Sequence, residues 1–113
     1  MKALVTGANG FVGRQVCAEL LRQGHSVRAA GRSANSTIEN IEVVPVCTID
    51  DKTDWINALR GVDVVIHLAA RVHVMKDTVS DPLAEFLKIN LYGTSNLAQQ
   101  AARAGVKRLV YVS

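Results

Sequence analysis

The chain has 113 residues, of which 49% are hydrophobic and 4% aromatic, and its formal net charge is +3. This length suits one globular domain, and no apolar run is long enough to span a bilayer. Because Lys and Arg form no stripe and aromatic side chains are few, we expect no nucleic-acid binding. The lack of a long apolar run predicts no membrane partner. The sequence begins within a predicted strand, so we expect no signal or transit peptide and a location in the cytoplasm.

The two cysteines, Cys17 and Cys47, have neither the spacing of a zinc site nor that of a redox pair. No other Cys or His stands close enough in the sequence to complete a metal-binding motif. Both cysteines lie in apolar segments, which favours two buried free thiols in a reducing compartment. The sequence therefore predicts no metal site.

The first predicted strand, Ala3–Thr6, is followed at once by three glycines, Gly7, Gly10 and Gly13. Apolar residues then return at a helical spacing, which predicts a helix over Phe11–Gln23. Such glycines allow a tight turn, and they also let a pyrophosphate approach the free N–H groups at the start of a helix. The G-x-x-G-x-x-G spacing differs from the best-known G-x-G-x-x-G fingerprint, but its position at the first helix of a βαβ unit favours a phosphate cradle over a mere turn.

The other apolar runs predict four more strands: Ser26–Ala30, Glu42–Val46, Asp63–His67 and Lys107–Val112. The last two are rich in β-branched residues and almost continuously apolar, as expected for strands covered on both faces. Helical segments are predicted at about Thr53–Leu59 and Pro82–Ala104. Three glycines are expected to end helices: Gly24, Gly61 and Gly105.

Strands that alternate with helices predict a doubly wound α/β fold, a parallel sheet of right-handed βαβ units with strand order 3-2-1-4-5. The sequence ends directly after the fifth strand, which would leave that strand as an open apolar edge without a following helix. We therefore expect residues 1–113 to form the dinucleotide-binding domain at the N-terminal end of a larger protein.

Three segments follow one another in a recognisable order: "VTGANGFVG", "GVDVVIHLAA" and "INLYGTSNLAQQAARAGVKRLVYVS". They resemble the T-G-x-x-G-x-x-G motif, the H-x-A-A strand and the N-x-x-G-T-x-N-L helix of the extended short-chain dehydrogenases/reductases, the NAD-dependent epimerase/dehydratase family. This resemblance implies a Rossmann-type fold, here truncated after the fifth strand, that binds NAD or NADP and forms a homodimer. "AARVHVM" and "TDW" further resemble bacterial enzymes that act on UDP-N-acetyl sugars in surface-polysaccharide synthesis.

The end of the second strand is where dinucleotide-binding domains distinguish NAD from NADP. Gly31 stands where a carboxylate would favour NAD, and it is followed by Arg32, whose guanidinium can bind a 2′-phosphate. We expect NADP to be favoured; a solvated Arg32, with room for NAD beside Gly31, is the alternative. For the adenine, the resembled family usually has an Asp followed by an apolar residue after the third strand. Here Asp50 stands one position too late, so Thr48 and Ile49 are the predicted adenine contacts.

The resemblance also implies a catalytic Tyr in a Y-x-x-x-K motif downstream of the fifth strand. Neither Tyr92 nor Tyr111 fits that pattern, and Ser113 matches only the first of two serines of which the second is catalytic. We therefore expect no catalytic residue in this chain. Asn90 matches the helix Asn that supports the active site, although a buried Asn also needs a partner for structural reasons alone. His67 is interpreted as a packing and hydrogen-bonding residue.

The sequence thus predicts the dinucleotide-binding portion of a nucleotide-sugar epimerase, dehydratase or reductase, whose substrate domain would follow residue 113. A non-catalytic NADP-binding sensor of the same fold is the alternative, and a downstream Y-x-x-x-K would distinguish the two. The predicted cofactor contacts are Gly7, Asn9, Gly10, Phe11, Val12, Gly13, Gly31, Arg32, Thr48, Ile49, Leu68, Ala69, Ala70 and Asn90.

Overall fold

The computed structural model describes residues 1–8, 10–31, 41–46, 49–68 and 88–112. Its strands are β1 (Lys2–Thr6), β2 (Ser26–Gly31), β3 (Ile41–Pro45), β4 (Val64–His67) and β5 (Arg108–Tyr111). Its α-helices are α1 (Phe11–Arg22), α2 (Ile56–Leu59) and α3 (Gly93–Arg103), with a π-helical turn, Lys88–Tyr92, directly before α3. The five predicted strands are confirmed to within one residue at each end.

All neighbouring strands pair in parallel, in the order β3-β2-β1-β4-β5, which confirms the predicted fold. The chain builds outward from β1 to β3 on one side and then returns to build β4 and β5 on the other. The register pairs Thr6, the last residue of β1, with Ala30 of β2 and His67 of β4. This change of direction is where doubly wound sheets bind ligands, at the carboxyl ends of the strands.

Side chains that alternate along the strands pack into two separate cores. Leu4 and Val65 pack with residues of α2 and α3, and we call this side of the sheet the α2–α3 face. Val5 and Val27 pack against α1 on the opposite side, the α1 face. Cys17 of α1 is fully buried there, and burial raises the pKa of its thiol because the thiolate loses water. Cys47 lies outside the described residues.

The ends of the helices agree with the glycine pattern, but two predicted helices differ in detail. The glycines that follow the three α-helices of the described residues all have positive φ: Gly24 (+88°), Gly61 (+74°) and Gly105 (+84°). α2 begins at Ile56 rather than Thr53; residues 51 and 52 form a turn, and residues 53–55 have no regular structure. Within the predicted helix Pro82–Ala104, the described part begins with the π-helical turn and continues as α3, and residues 82–87 lie outside the described residues.

The β5 strand lies at the edge of the sheet and pairs only with β4 among the described strands. Residues at its end, Val110, Tyr111 and Val112, are 40%, 41% and 46% exposed. These apolar side chains are therefore exposed at the edge of the described sheet.

Candidate functional site

The first part of the candidate site is the turn between β1 and α1. Gly7 directly follows β1 with φ +70°, a left-handed conformation that glycine adopts without steric cost. Its carbonyl accepts a 3.1 Å hydrogen bond from the N–H of Gly10, which closes the turn. Gly10 is the N-cap of α1 and has no side chain to cap the helix, and the first turn contains no acidic residue. The N–H groups and the positive end of the helix dipole can therefore receive an anion.

The glycines of this turn serve different physical purposes. A Cβ at Gly13 would lie 2.1 Å from the Gly7 oxygen and 2.8 Å from the Ala8 Cα, so only glycine lets α1 pack this closely. A Cβ at Gly10 would lie 3.4 Å from the same oxygen, which is an ordinary contact. Gly7 and Gly13 thus build the turn, whereas Gly10 lies on its exposed side. The next two residues, Phe11 and Val12, are 80% and 54% exposed there.

The second part of the site joins the ends of β1 and β4. Thr6 and His67 are both buried, and the Thr6 Oγ1 lies 2.6 Å from the His67 Nδ1. The N–H of Leu68 donates to the carbonyl and to the hydroxyl of Thr6, at 3.2 and 3.0 Å. On its other side the His67 Nε2 lies 3.1 Å from the Thr94 Oγ1, and the Tyr111 ring stacks on the imidazole.

These contacts define the chemistry of His67. Burial lowers its pKa because the imidazolium would lose water, so the ring is neutral at neutral pH. Both ring nitrogens face threonine hydroxyls. The structure thus places His67 in packing and hydrogen bonding, as the sequence predicted. The sequence prediction omitted Thr6 and Thr94, although both belong to the quoted motifs, T-G-x-x-G-x-x-G and N-x-x-G-T.

The third part of the site is the turn that follows β3. Ile49 is half-buried and packs on the α2–α3 core, and a Cβ at Gly93 would lie 3.2 Å from its Cγ2 and from its carbonyl oxygen. The Asp50 Oδ1 accepts a 2.8 Å hydrogen bond from the N–H of Lys52, and the Asp50 N–H donates to the Thr53 Oγ1 at 2.8 Å. The carboxylate of Asp50 is therefore engaged within the turn.

Two amide side chains of α3 hold this turn in place. Asn96 donates from Nδ2 to the carbonyls of Asp50 (3.2 Å) and Thr53 (2.8 Å). Gln100 donates from Nε2 to the Thr53 carbonyl at 2.7 Å, and its Oε1 accepts from the N–H of Trp55 at 2.7 Å. The sequence prediction missed both residues, because polar side chains on a helix normally indicate its solvent face.

The structure brings most of the predicted contacts that it describes to the carboxyl edge of the sheet. After β1 lie Gly7, Gly10, Phe11, Val12 and Gly13; Gly31 ends β2, Ile49 follows β3 and Leu68 follows β4. Asn90 lies half-buried in the π-helical turn before α3. Five predicted contacts lie outside the described residues: Asn9, Arg32, Thr48, Ala69 and Ala70.

A separate groove of about 770 Å³ lies between residues 51–61 and α3. Its charged lining is mixed, with two acids and three bases: Asp51, Asp54, Lys52, Arg60 and Arg103. This lining favours neither sign of ligand.

Among the residues that the structure describes, no group of three or more acidic, His or Cys side chains could hold a metal ion. None of the described helices combines the length and the apolar character needed to cross a membrane.

Comparison with known proteins gives the family. The profile of the NAD dependent epimerase/dehydratase family matches residues 3–113. The chain belongs to this family. The family predicted from the sequence motifs is therefore confirmed, and the matched residues begin within β1, just before the glycine turn.

Three relatives illustrate the range of the epimerase/dehydratase family. The chain is 39% identical to a UDP-glucose 4-epimerase of Vibrio cholerae, over 97% of its own length and 34% of the relative. It is 33% identical to a 3-beta-hydroxysteroid dehydrogenase of Mycolicibacterium neoaurum, over 99% of the chain and 31% of the relative. The solved structure of MoeE5 with UDP-glucose and NAD has a TM-score of 0.81 and 28% identity, over 100% of the chain and 36% of MoeE5. The chain thus spans about a third of each relative.

Proposed function

We propose that this chain is the dinucleotide-binding portion of an NAD(P)-dependent enzyme that acts on a nucleotide sugar. The observation that carries this proposal is the glycine turn, in which α1 begins with a side-chain-free N-cap at the point where the strand order changes direction. The relatives support the substrate class, because one is named as a UDP-glucose 4-epimerase and another was solved with UDP-glucose and NAD.

The turn fits the pyrophosphate of a dinucleotide. Gly13 lets α1 begin against β1, Gly10 leaves the backbone open to solvent, and no acid in the first turn would repel a phosphate. When bound, the nicotinamide supplies hydride transfer. The groups that this chain would supply are the N–H groups of the first turn of α1, which bind the pyrophosphate, and the exposed surface of Phe11 and Val12 beside them.

Proton transfer is assigned to residues beyond this chain. In our proposal Asn90 supports the active site from the π-helical turn. Tyr92 is followed four residues later by Asn96 rather than Lys, and Tyr111 lies in β5. The chain by itself should therefore bind a dinucleotide without turnover. Protein-dependent oxidation of NADPH by a UDP-4-keto sugar would contradict this assignment. The predicted homodimer and the predicted cytoplasmic location stay predictions.

Calorimetric titration of the chain with NAD and with NADP tests the proposal. We expect saturable binding of at least one dinucleotide, and none of UDP-glucose alone because the substrate domain is expected downstream. Absence of binding to both dinucleotides would contradict the proposal. If the protein containing this chain includes a Y-x-x-x-K, its epimerase or reductase activity can be assayed on UDP-sugars and, because of the relative from M. neoaurum, on a 3-hydroxysteroid. A protein without that motif would favour the alternative, an NADP-binding sensor.

The preference for NADP is proposed from Arg32, beside Gly31 at the end of β2. NAD is the competing cofactor, since MoeE5 was solved with NAD. Replacing Arg32 by Ala should remove a charge-assisted contact worth about 1.5–3 kcal/mol, or less if the side chain is exposed. NADP affinity should fall while NAD affinity stays the same. Equal affinities for the two cofactors, before and after the substitution, would reject this role of Arg32.

A further inference from the structure

Three side chains form a hydrogen-bonded chain across the carboxyl edge of the sheet. It runs from Thr6 of β1 through His67 of β4 to Thr94 of α3, with contacts of 2.6 and 3.1 Å. These contacts join residues that are 61 and 27 positions apart in the sequence. This row of hydrogen bonds ends at Thr6, the residue directly before the glycine turn. It therefore couples α3 to the proposed pyrophosphate site.

The two hydrogen bonds of His67 must run in the same direction, because a neutral imidazole has one N–H donor and one acceptor nitrogen. If the Thr6 hydroxyl donates to Nδ1, then the Nε2–H of His67 donates to Thr94; in the other tautomer both hydrogen bonds reverse. In either case the proton position at one end fixes that at the other. The Thr94 and Thr6 hydroxyls are therefore coupled through His67, because the role of one as donor or acceptor sets the role of the other.

Neighbouring contacts hold both ends of this row of hydrogen bonds, at Thr94 and at Thr6. α3 lies close to the turn after β3 because Gly93 has no side chain: a Cβ there would lie 3.2 Å from the Ile49 carbonyl oxygen. At the other end, the N–H of Leu68 donates to the Thr6 hydroxyl, and Gly7 follows Thr6 in its left-handed conformation. A change at Thr94 thus reaches Thr6, the residue that directly precedes the glycine turn.

We propose that Thr94 is a positioning residue for the dinucleotide and acts through His67 on Thr6 and the glycine turn. This inference rests on the proposed nucleotide-binding function. Thr94 touches neither the turn nor α1 in its described hydrogen bonds. Its effect on affinity should therefore be indirect and should depend on its hydroxyl group.

The test is calorimetric titration of Thr94→Val with NAD and NADP, because Val preserves the side-chain shape and removes only the hydroxyl. We expect affinity to fall about three- to tenfold, as for one lost hydrogen bond. Thr94→Ser should bind like the parent. The His67 ring nitrogen resonances in NMR should shift in Thr94→Val and stay near the parent values in Thr94→Ser. If Thr94→Val does not fold, Thr94→Ala replaces it.

Ala101→Gly is the matched control, since Ala101 is buried on the same helix and a glycine there destabilises α3 without contacting His67. At a temperature where all variants are folded, this control should keep the parent affinity. Unchanged affinity in Thr94→Val, or equal weakening in Ala101→Gly, would overturn the inference. A parent chain that binds neither dinucleotide would overturn the proposed function and this inference with it, so the two failures are distinguishable.

Discussion

The two faces of the sheet attach their helices by different physical means. On the α1 face, α1 approaches β1 because side chains are absent: at Gly13 even a methyl group would overlap the Gly7 carbonyl. On the α2–α3 face, polar side chains donate hydrogen bonds to backbone carbonyls of neighbouring elements. Arg28 of β2, which is 6% exposed, donates from Nη1 to the carbonyls of Ala58 and Arg60 at 2.8 Å each.

This difference decides how each face responds to substitution. We expect the α1 face to tolerate the loss of a polar group but not the addition of volume, because its helix packs closely on the strand at glycines. The α2–α3 face depends on donors that satisfy buried carbonyls, so the loss of a single side chain leaves acceptors without partners. The proposed pyrophosphate site is built on the α1 face, and the turn at Ile49 is held by the other.

The largest effect should come from Gly13→Ala. The added Cβ would lie 2.1 Å from the Gly7 oxygen and 2.8 Å from the Ala8 Cα, both backbone atoms that cannot rotate away. We expect the free energy of unfolding to fall by at least about 3 kcal/mol, at the upper end of overpacking effects. Denaturant unfolding followed by the fluorescence of Trp55, the single and fully buried tryptophan, measures the loss. A loss no greater than that of Gly10→Ala would contradict the steric account of the α1 face.

Arg28→Met is the corresponding test of the α2–α3 face. Met can fill the apolar space of the side-chain stem but cannot donate to the carbonyls at the end of α2, nor to the Glu42 carboxylate 2.9 Å away. We expect the free energy of unfolding to fall by about 2–3 kcal/mol. Arg22→Met is the matched control, because Arg22 is exposed and pairs only with Glu19 among the described residues. It should change stability by less than about 0.5 kcal/mol. Similar losses in both variants would contradict the proposed difference between the faces.

Gly10→Ala separates binding from folding on the α1 face. Its Cβ would make only a 3.4 Å contact with the Gly7 oxygen, and its φ of −74° suits alanine, so the loss of stability should be small. Because the added methyl group lies where a pyrophosphate would approach the backbone, dinucleotide affinity should fall at least about tenfold, or 1.4 kcal/mol. Calorimetry on the folded variant measures this change. Unchanged affinity would leave the glycine motif as a turn alone.

What could be predicted from the sequence was local, and what could not was the product of distant contacts. The glycine motif could be recognised because two single positions require glycine: Gly7 for its positive φ and Gly13 for its close packing. The strand bounds followed from short apolar runs. The amide contacts of Asn96 and Gln100 could not be predicted, since their carbonyl partners lie 43 to 47 residues away. Arg28 is charged and central in a strand, and its contacts with the end of α2 and with Glu42 explain its burial.

The smallest predicted effect is a pH dependence of stability at the junction of the two faces. Burial lowers the pKa of His67 below its ordinary value of 6.5 in the folded chain. Between the lowered pKa and 6.5, the unfolded chain therefore binds more protons than the folded chain, and stability falls as the pH is lowered. The slope should not exceed about 1.4 kcal/mol per pH unit, the value for one proton.

Denaturant unfolding at several pH values from about 5 to 8 measures this slope. His67→Asn should lower stability at neutral pH and flatten the slope, because Asn does not titrate. Glu42→Gln is the control: its salt bridges to Arg28 and Lys2 lower the pKa of Glu42 below 4.5, so its contribution is lost only at more acidic pH. It should leave the slope between about pH 5 and 8 intact. A slope that persists in His67→Asn would show that another group titrates there, and that the imidazole is not the neutral link between Thr6 and Thr94.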